Sequence, residues 1–186
     1  MKKLFALILA LAMVLSVSAM AEDEIATVSW EDAVATAETI LPGISELGEF
    51  FSIEGTGLKI WIPIGLQQRE TIGDLMLYLF ADEDVSHAVT VIAEEAPEGY
   101  DVTTAEGLAA YVRDVVTPND AEAAVVNGIF CIGYSLGEDD MKQAVVSYGT
   151  ASGLVLSFVI EPYADVDEDV DNLAISLIAS SIMADE

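Results

Sequence analysis

Basic residues are scarce in this chain, and their scarcity excludes several classes of protein. The 186 residues include 6 Lys and Arg against 33 Asp and Glu, for a net charge of −27. Nucleic-acid binding depends on neutralising phosphates with Lys and Arg, so we expect no nucleic-acid partner. An anionic lipid surface would repel the chain for the same reason. Basic partners, divalent cations or a need for solubility are left as explanations of the charge.

Cysteine and histidine each occur once, as Cys131 and His87. One cysteine forms no internal disulfide, and structural zinc requires four Cys or His ligands. A Ser-His-Asp triad or a thiol dyad would depend on His87, which follows an acidic turn and is expected to flank a hairpin. Cys131 lies in an apolar strand and is expected to be buried and unreactive. We therefore name no catalytic residue and favour a protein that is not an enzyme.

The longest apolar run lies at the amino terminus. Lys2 and Lys3 precede an apolar stretch from Leu4 to Leu15, and Ala19-Met20-Ala21 follows it. This order predicts a bacterial secretory signal peptide over residues 1–21, with an uncleaved anchor as the alternative. Cleavage leaves four basic residues against the same 33 acidic ones, a net charge of −29. We expect a secreted or periplasmic product without a membrane span.

Turn signals and hydrophobic periodicity divide the mature chain into helices and strand pairs. Ser29 with Asp32 and Thr103 with Glu106 are candidate capping boxes, and the second helix would bury Leu108, Val112 and Val115. Residues 64–71 are expected to form a loop or a single helical turn. Strands are expected as a pair within 48–63 and at 75–81, 86–94, 122–126, 129–136, 141–150 and 154–160, and a third helix is expected after an acidic stretch at 165–171. The pattern predicts an α+β fold with a mainly antiparallel sheet of about six to eight strands and helices on its faces.

The order of these motifs resembles the PsbP-like fold, an α/β/α sandwich. The resemblance spans roughly Gly48 to Met183, and its motifs are Leu58–Pro63, Val126-Asn127-Gly128, Tyr148-Gly149-Thr150, Gly153-Leu154, Phe158–Pro162 and Ser180-Ser181-Ile182. The extrinsic P subunit of photosystem II, the Ran-binding mog protein and many exported bacterial proteins share this fold. The resemblance implies a PsbP-like domain over residues 48–186, after a helical segment over residues 22–47. It also implies a binding or accessory role, although neither the photosystem nor the Ran contacts have a counterpart here.

A cystatin-like or nuclear-transport-factor-like α+β fold is the alternative to the PsbP-like fold. In either fold, aromatic rings could line a ligand cleft with an arginine that holds a carboxylate. The candidate ligand-binding residues are Trp61, Arg69, Arg113, Tyr134 and Tyr148. The same rings could instead fill the core.

Alternating aspartates offer the only candidate metal site. Asp165, Asp167, Asp169 and Asp171 have the spacing of the first ligands of an EF-hand loop. Val170 stands where that loop requires Gly, and Ser176 stands where it requires Glu. Calcium is therefore the one cofactor considered, as a weak ligand of this stretch.

The sequence as a whole predicts a secreted, non-enzymatic binding or accessory module whose partner is an unknown protein or small ligand. A small extracellular hydrolase and a weak calcium-binding surface protein are the alternatives. A pocket that joins Arg, Tyr and a carboxylate with a shifted pKa would favour the hydrolase. An exposed apolar patch ringed by acids would favour the binding module.

Overall fold

The computed structural model describes residues 25–70, 76–83, 87–118, 121–136, 143–161 and 168–185, with the backbone alone for Met76 and residues 168–172. Three α-helices and eleven strands lie in these ranges, which makes the fold α+β as the sequence predicts. The expected signal peptide, residues 1–21, lies outside the described residues. None of the helices in the described ranges has the length and apolar character that a membrane crossing requires.

The helices and strands follow one another in short succession. The helices are α1 (Trp30–Ile40), α2 (Ala105–Tyr111) and α3 (Glu168–Ser180). The strands are β1 (Ala26–Val28), β2 (Gly48–Ile53), β3 (Leu58–Pro63), β4 (Gln67–Arg69), β5 (Met76–Ala81), β6 (Ala88–Glu95), β7 (Ala121–Val126), β8 (Ile129–Leu136), β9 (Gln143–Gly149), β10 (Leu154–Ile160) and β11 (Met183–Ala184). A 3₁₀ turn (Ile44–Leu47) precedes β2, and a π-helical turn (Val112–Val116) follows α2.

The strands form two sheets. The larger has the order β1-β7-β8-β9-β10-β6-β5-β4, and the smaller has the order β11-β3-β2. Strand β1 runs parallel to β7, whereas β4, β5, β6, β8, β9 and β10 pair antiparallel with their neighbours. The expectation of a mainly antiparallel sheet of up to eight strands is confirmed. The expected loop at 64–71 is wrong for Gln67–Arg69, because these three polar residues pair with β5.

The chain groups into two compact units. The first unit contains the described residues of 1–64, 124–129 and 167–186, and the second contains those of 65–123 and 130–166. Each unit draws on separate stretches of the sequence. The proposed division at residues 47 and 48 stays a prediction.

In the first unit, helix α1 begins where the sequence predicts. The Ser29 hydroxyl accepts a hydrogen bond from the amide of Asp32 at 3.1 Å, as a capping residue does. Helix α1 buries Ala33 and Ala37, whose small side chains allow close packing. Helix α3, the turn after it and the strands of the smaller sheet supply the large core side chains, which are Ile53, Ile60, Leu173, Leu177, Ile178 and Ile182.

In the second unit, helix α2 departs from the predicted cap and stripe. Thr104 is the N-cap and accepts from the amide of Gly107 at 3.1 Å. Thr103 is not the cap, because its hydroxyl donates to the Asp101 carboxylate at 2.6 Å. Leu108 and Val112 are buried as predicted, but Val115 is 43% exposed. The π-helical turn over Val112–Val116 changes the direction of the side chains, so the 3.6-residue stripe ends before Val115.

Candidate functional site: an aromatic cluster and an apolar rim

Three aromatic rings and a lysine meet in the first unit. The Trp30 ring lies 5.4 Å from the Phe50 ring, edge to face, and 5.9 Å from the Trp61 ring. The Lys59 ammonium lies 5.8 Å from the centre of the Phe50 ring, within the range of a cation–π contact. We call these four residues the aromatic cluster. They come from α1, β2 and β3, and strand pairing sets Phe50 directly opposite Trp61.

Trp61 is the buried member that holds the cluster in place. Only 2% of Trp61 is exposed, and its backbone amide donates to the Ser181 hydroxyl at 2.9 Å. Its indole N–H donates to the carbonyl of Ser45 at 3.2 Å. The indole also passes over Gly48, where an added Cβ would lie 2.2 Å from Trp61 Cε2. The absence of a side chain at residue 48 is therefore what admits the indole.

Large aliphatic side chains are exposed on the same stretch of chain. Ile40 is 62% exposed, Leu41 37%, Leu47 55% and Ile64 65%. We call these four residues the apolar rim. Leu47 and Ile64 are adjacent, since the amide of Ile64 donates to the carbonyl of Leu47 at 2.8 Å, and Ile40 and Leu41 lie at the end of α1. Phe50, from the aromatic cluster, is 42% exposed.

Acidic residues stand among the rim residues along the chain. Glu46 and Glu49 are exposed and lie within two residues of Leu47. Glu38 accepts hydrogen bonds from the amide of Gly43 at 2.7 Å and from the Ser45 hydroxyl at 2.6 Å. The Ser45 hydroxyl first, and then the Gly43 amide, hold the pKa of Glu38 below its ordinary value. The Glu38 carboxylate therefore stays charged while it fixes the turn between α1 and the 3₁₀ turn.

Within the described residues of the second unit, the predicted ligand-binding residues Arg69, Arg113, Tyr134 and Tyr148 do not converge on one pocket. Trp61 belongs to the first unit and the other four to the second. Arg113 is exposed and makes a bidentate pair with the neighbouring Asp114. The Arg69 Nη2 donates to the carbonyl of Asp82 at 2.8 Å. Arg69 also lines an open cavity of about 550 Å³, together with Gln68, Glu70 and Leu77 and without a tyrosine.

Tyr134 and Tyr148 point to opposite faces of the larger sheet. Tyr134 pairs with Val145 across β8 and β9, and Tyr148 is three residues beyond Val145. The Tyr134 hydroxyl lies 2.9 Å from the Ser147 hydroxyl, which lies 2.7 Å from that of Ser157. Burial raises the pKa of Tyr134, against the smaller effects of these hydrogen bonds. Both tyrosines are almost fully buried, so they serve the core, as the alternative interpretation of the sequence holds.

Tyr111 and Glu94 add a second polar contact to the core of the second unit. The Tyr111 hydroxyl donates to the Glu94 carboxylate. Burial first, and then the adjacent Glu94 carboxylate, raise the pKa of Tyr111 well above its ordinary value of 10.0. A tyrosine with a raised pKa keeps its proton, so Tyr111 acts here as a hydrogen-bond donor to Glu94.

His87 and Cys131 occupy the surroundings that the sequence predicts. The Nδ1 of His87 pairs with the Asp82 carboxylate at the start of β6, and this pair flanks the β5–β6 hairpin. Cys131 is 1% exposed. Burial raises the pKa of its thiol to about 12. The thiol is therefore protonated and shielded at neutral pH.

The four candidate calcium ligands fall mostly outside what the structure describes. Asp165 and Asp167 lie outside the described residues, and Asp169 and Asp171 lie in α3 with their backbone alone described. Within the described part of the chain, no three His, Cys, Asp or Glu side chains group as a metal site. Calcium binding at this stretch stays a prediction.

Comparison with known proteins finds likeness in structure and none in sequence. No protein-family model matches the chain, and no curated protein matches it. The solution structure of cyanobacterial PsbP (CyanoP) from Synechocystis is similar over 74% of this chain and 92% of that one, with a TM-score of 0.48 and 17% identity. A crystal structure from Bacteroides thetaiotaomicron is similar over 74% of this chain and 48% of that one, with a TM-score of 0.43 and 14% identity. The expectation of a PsbP-like fold and the first likeness agree, and a likeness at this level concerns the fold alone.

Sequence reasoning named Trp61 but missed Trp30, Phe50 and Lys59. The sequence predicts Trp30 at the start of a helix and Phe50 in a strand, and it gives no reason to bring the two rings together. The alternation in the segment 48–53 gives each residue a face, but it does not say which helix covers that face. One signal of the cluster is present in the composition. Both tryptophans of the chain lie within residues 22–63, which the sequence assigns to the helical segment and the first strand pair.

Proposed function

We propose that this protein is an extracytoplasmic binding module that docks a partner protein through the apolar rim and Phe50. The supporting observation is the exposure of four large aliphatic side chains and one aromatic ring on residues 40–64. Leu47 and Ile64 are adjacent through a backbone hydrogen bond, and adjacent exposed apolar side chains bordered by polar residues mark interaction surfaces more often than they serve stability. The proposal includes export, because it retains the predicted signal peptide.

The rigidity of the aromatic cluster supports this role. Trp61 is fixed by two hydrogen bonds, and Trp30 packs against it. Because Phe50 pairs with Trp61 across the two strands, its backbone is held in place as well. A partner that binds a pre-organised surface loses less conformational entropy than one that must order it. Aromatic side chains also contribute strongly to the centre of protein interfaces.

The hydrolase alternative depends on a cleft that joins arginine, tyrosine and carboxylate. Among the described residues, Arg69, Arg113 and Tyr134 have separate hydrogen-bond partners, and Tyr134 and Tyr148 are buried. The geometry therefore supports the binding module better. The hydrolase stays a prediction without a named catalytic group.

A photo-crosslinking amino acid tests the proposed surface in the cells that export the protein. We would place it at position 47 or 64 and, as a matched control, at position 115, because Val115 is a similarly exposed aliphatic of the second unit. Adducts of one discrete mass at positions 47 and 64, and none at 115, are expected. Equal adducts at all three positions, or none at 47 and 64, would remove the basis of the proposal.

A further inference from the structure

We infer that the partner segment that docks on the apolar rim and Phe50 is basic and amphipathic, with Lys or Arg beside large apolar side chains. This inference rests on the proposed binding role of the rim and names the chemistry of the partner. It follows from two separate properties of the first unit, which are its exposed apolar area and the sign of the charge around that area.

The exposed apolar area of the rim requires apolar side chains on the partner. Ile40, Leu47 and Ile64 are each more than half exposed. Burying such side chains against a partner removes apolar surface from water, which favours binding. A purely charged partner would leave this area in water, so a fitting segment carries its own apolar side chains.

The negative charge around the rim favours basic side chains on the partner. Glu46 and Glu49 are exposed beside Leu47, and Lys59 is the sole basic residue among the described residues of the first unit. The Lys59 ammonium already lies near the Phe50 ring. A partner that brings cations would meet the Glu46 and Glu49 carboxylates at the border of the rim, whereas the Phe50 ring already has the Lys59 cation beside it.

Other occupants fit this surface less well. A second copy of the chain would bring 33 further acidic residues toward the same carboxylates, and like charges across an interface are unfavourable. An anionic membrane is repelled for the same reason. Charge complementarity therefore selects a cationic protein segment.

Three synthetic helical peptides test the inference by calorimetry with residues 22–186. The first contains Lys and Leu with every Leu on one face, the second has Ala in place of each Leu, and the third has Glu in place of each Lys. We expect the Lys-Leu peptide to bind at least about tenfold more tightly than either control, because only it supplies both charge and apolar area. Its affinity should fall as salt is raised from low to physiological concentration.

Matched variants locate the binding. The triple variant I40S/L47S/I64S should lose about tenfold in affinity for the Lys-Leu peptide, whereas V115S should not change it. E46Q/E49Q should weaken binding more than E95Q/E98Q, a control pair of exposed acids in the second unit. Circular dichroism and the melting temperature would first show that each variant is folded.

The outcomes separate this inference from the proposed function. Equal binding of the Lys-Leu and Lys-Ala peptides, or an unchanged affinity in the triple variant, overturns the inference because charge alone would explain it. Crosslinks at positions 47 and 64 to an acidic partner, or to a second copy, also overturn it but leave the docking role intact. Absence of those crosslinks removes the proposed function itself.

Discussion

The Oδ1 of Asn127 accepts a hydrogen bond from the backbone amide of Trp30, with the two atoms 2.6 Å apart. The Nδ2 of the same side chain donates to the carbonyls of Ser180 and Ile182, at 2.8 and 2.9 Å. One hairpin residue therefore joins the start of α1 to the end of α3. Its own backbone has a φ of 49°, which asparagine tolerates better than most residues.

We predict that Asn127→Gly destabilises the fold by about 2 kcal/mol, since glycine keeps the positive φ but loses all three hydrogen bonds. Asn127→Asp should be worse at neutral pH, because a carboxylate would face two carbonyl oxygens, and acidification should recover part of the loss. Urea unfolding at two pH values measures both effects. A glycine variant as stable as the parent would show that these bonds contribute no net stability.

We predict that Gly48→Ala destabilises the protein by about 1–3 kcal/mol, because the new methyl group would overlap the Trp61 indole. The chain has two tryptophans, and both lie in the aromatic cluster, so the emission spectrum should also shift. Gly65→Ala is the matched control, since nothing lies within 4 Å of an added Cβ there. Equal effects of the two substitutions would contradict the packing of Trp61 over Gly48.

We predict that the Cys131 thiol reacts with a thiol reagent only as fast as the chain opens. Burial raises the pKa of this thiol from 9.0 to about 12, so the folded state favours the protonated form. The stability from this preference is complete below pH 9.0 and is lost as pH rises toward about 12. The rate of thiol labelling, measured from pH 9.0 to about 12 with and without urea, tests this prediction. Fast labelling of the folded protein at neutral pH would place the thiol at the surface instead.

We predict that calcium and magnesium, added at equal concentration, raise the melting temperature of residues 22–186 by the same amount relative to EDTA. Both cations screen a net charge of −29, and this screening needs no specific site. Melting in EDTA, in magnesium and in calcium gives the comparison. A rise with calcium alone, lost on changing Asp165, Asp167, Asp169 and Asp171 to Asn, would establish the calcium site instead.

The parts of the fold that were predictable carry strong local signals. Asn127-Gly128 turns between β7 and β8, and Ser29 caps α1, because each of these residues acts through its own backbone or the next three residues. The cap of α2 was missed by one residue, since Asp101 engages the Thr103 hydroxyl. The short strands β1, β4 and β11 have too few residues to show a period. Strands β1 and β11 pair with segments far away in sequence, and β4 pairs with the next strand.

The site was less predictable than the fold, for a physical reason. An apolar side chain has the same identity in a core and on a surface, so no pattern distinguished Leu47 and Ile64 from Ile60 and Ile62. Exposure depends on which segments cover each face, and the segments of the first unit are far apart in sequence. The sequence analysis could say that an exposed apolar patch among acidic residues would favour a binding module. It could not say which residues form that patch.

The hydrogen bond from Trp61 to Ser181 joins two segments of the chain that are synthesised at different times. Ser181 is 120 residues downstream of Trp61 and close to the carboxyl end. The first unit therefore cannot complete its contacts until the segment that contains Ser181 is available to fold. A product that stops short of Ser181 would lack the partner of Trp61, and its unfinished apolar surfaces would be exposed to proteases and to aggregation.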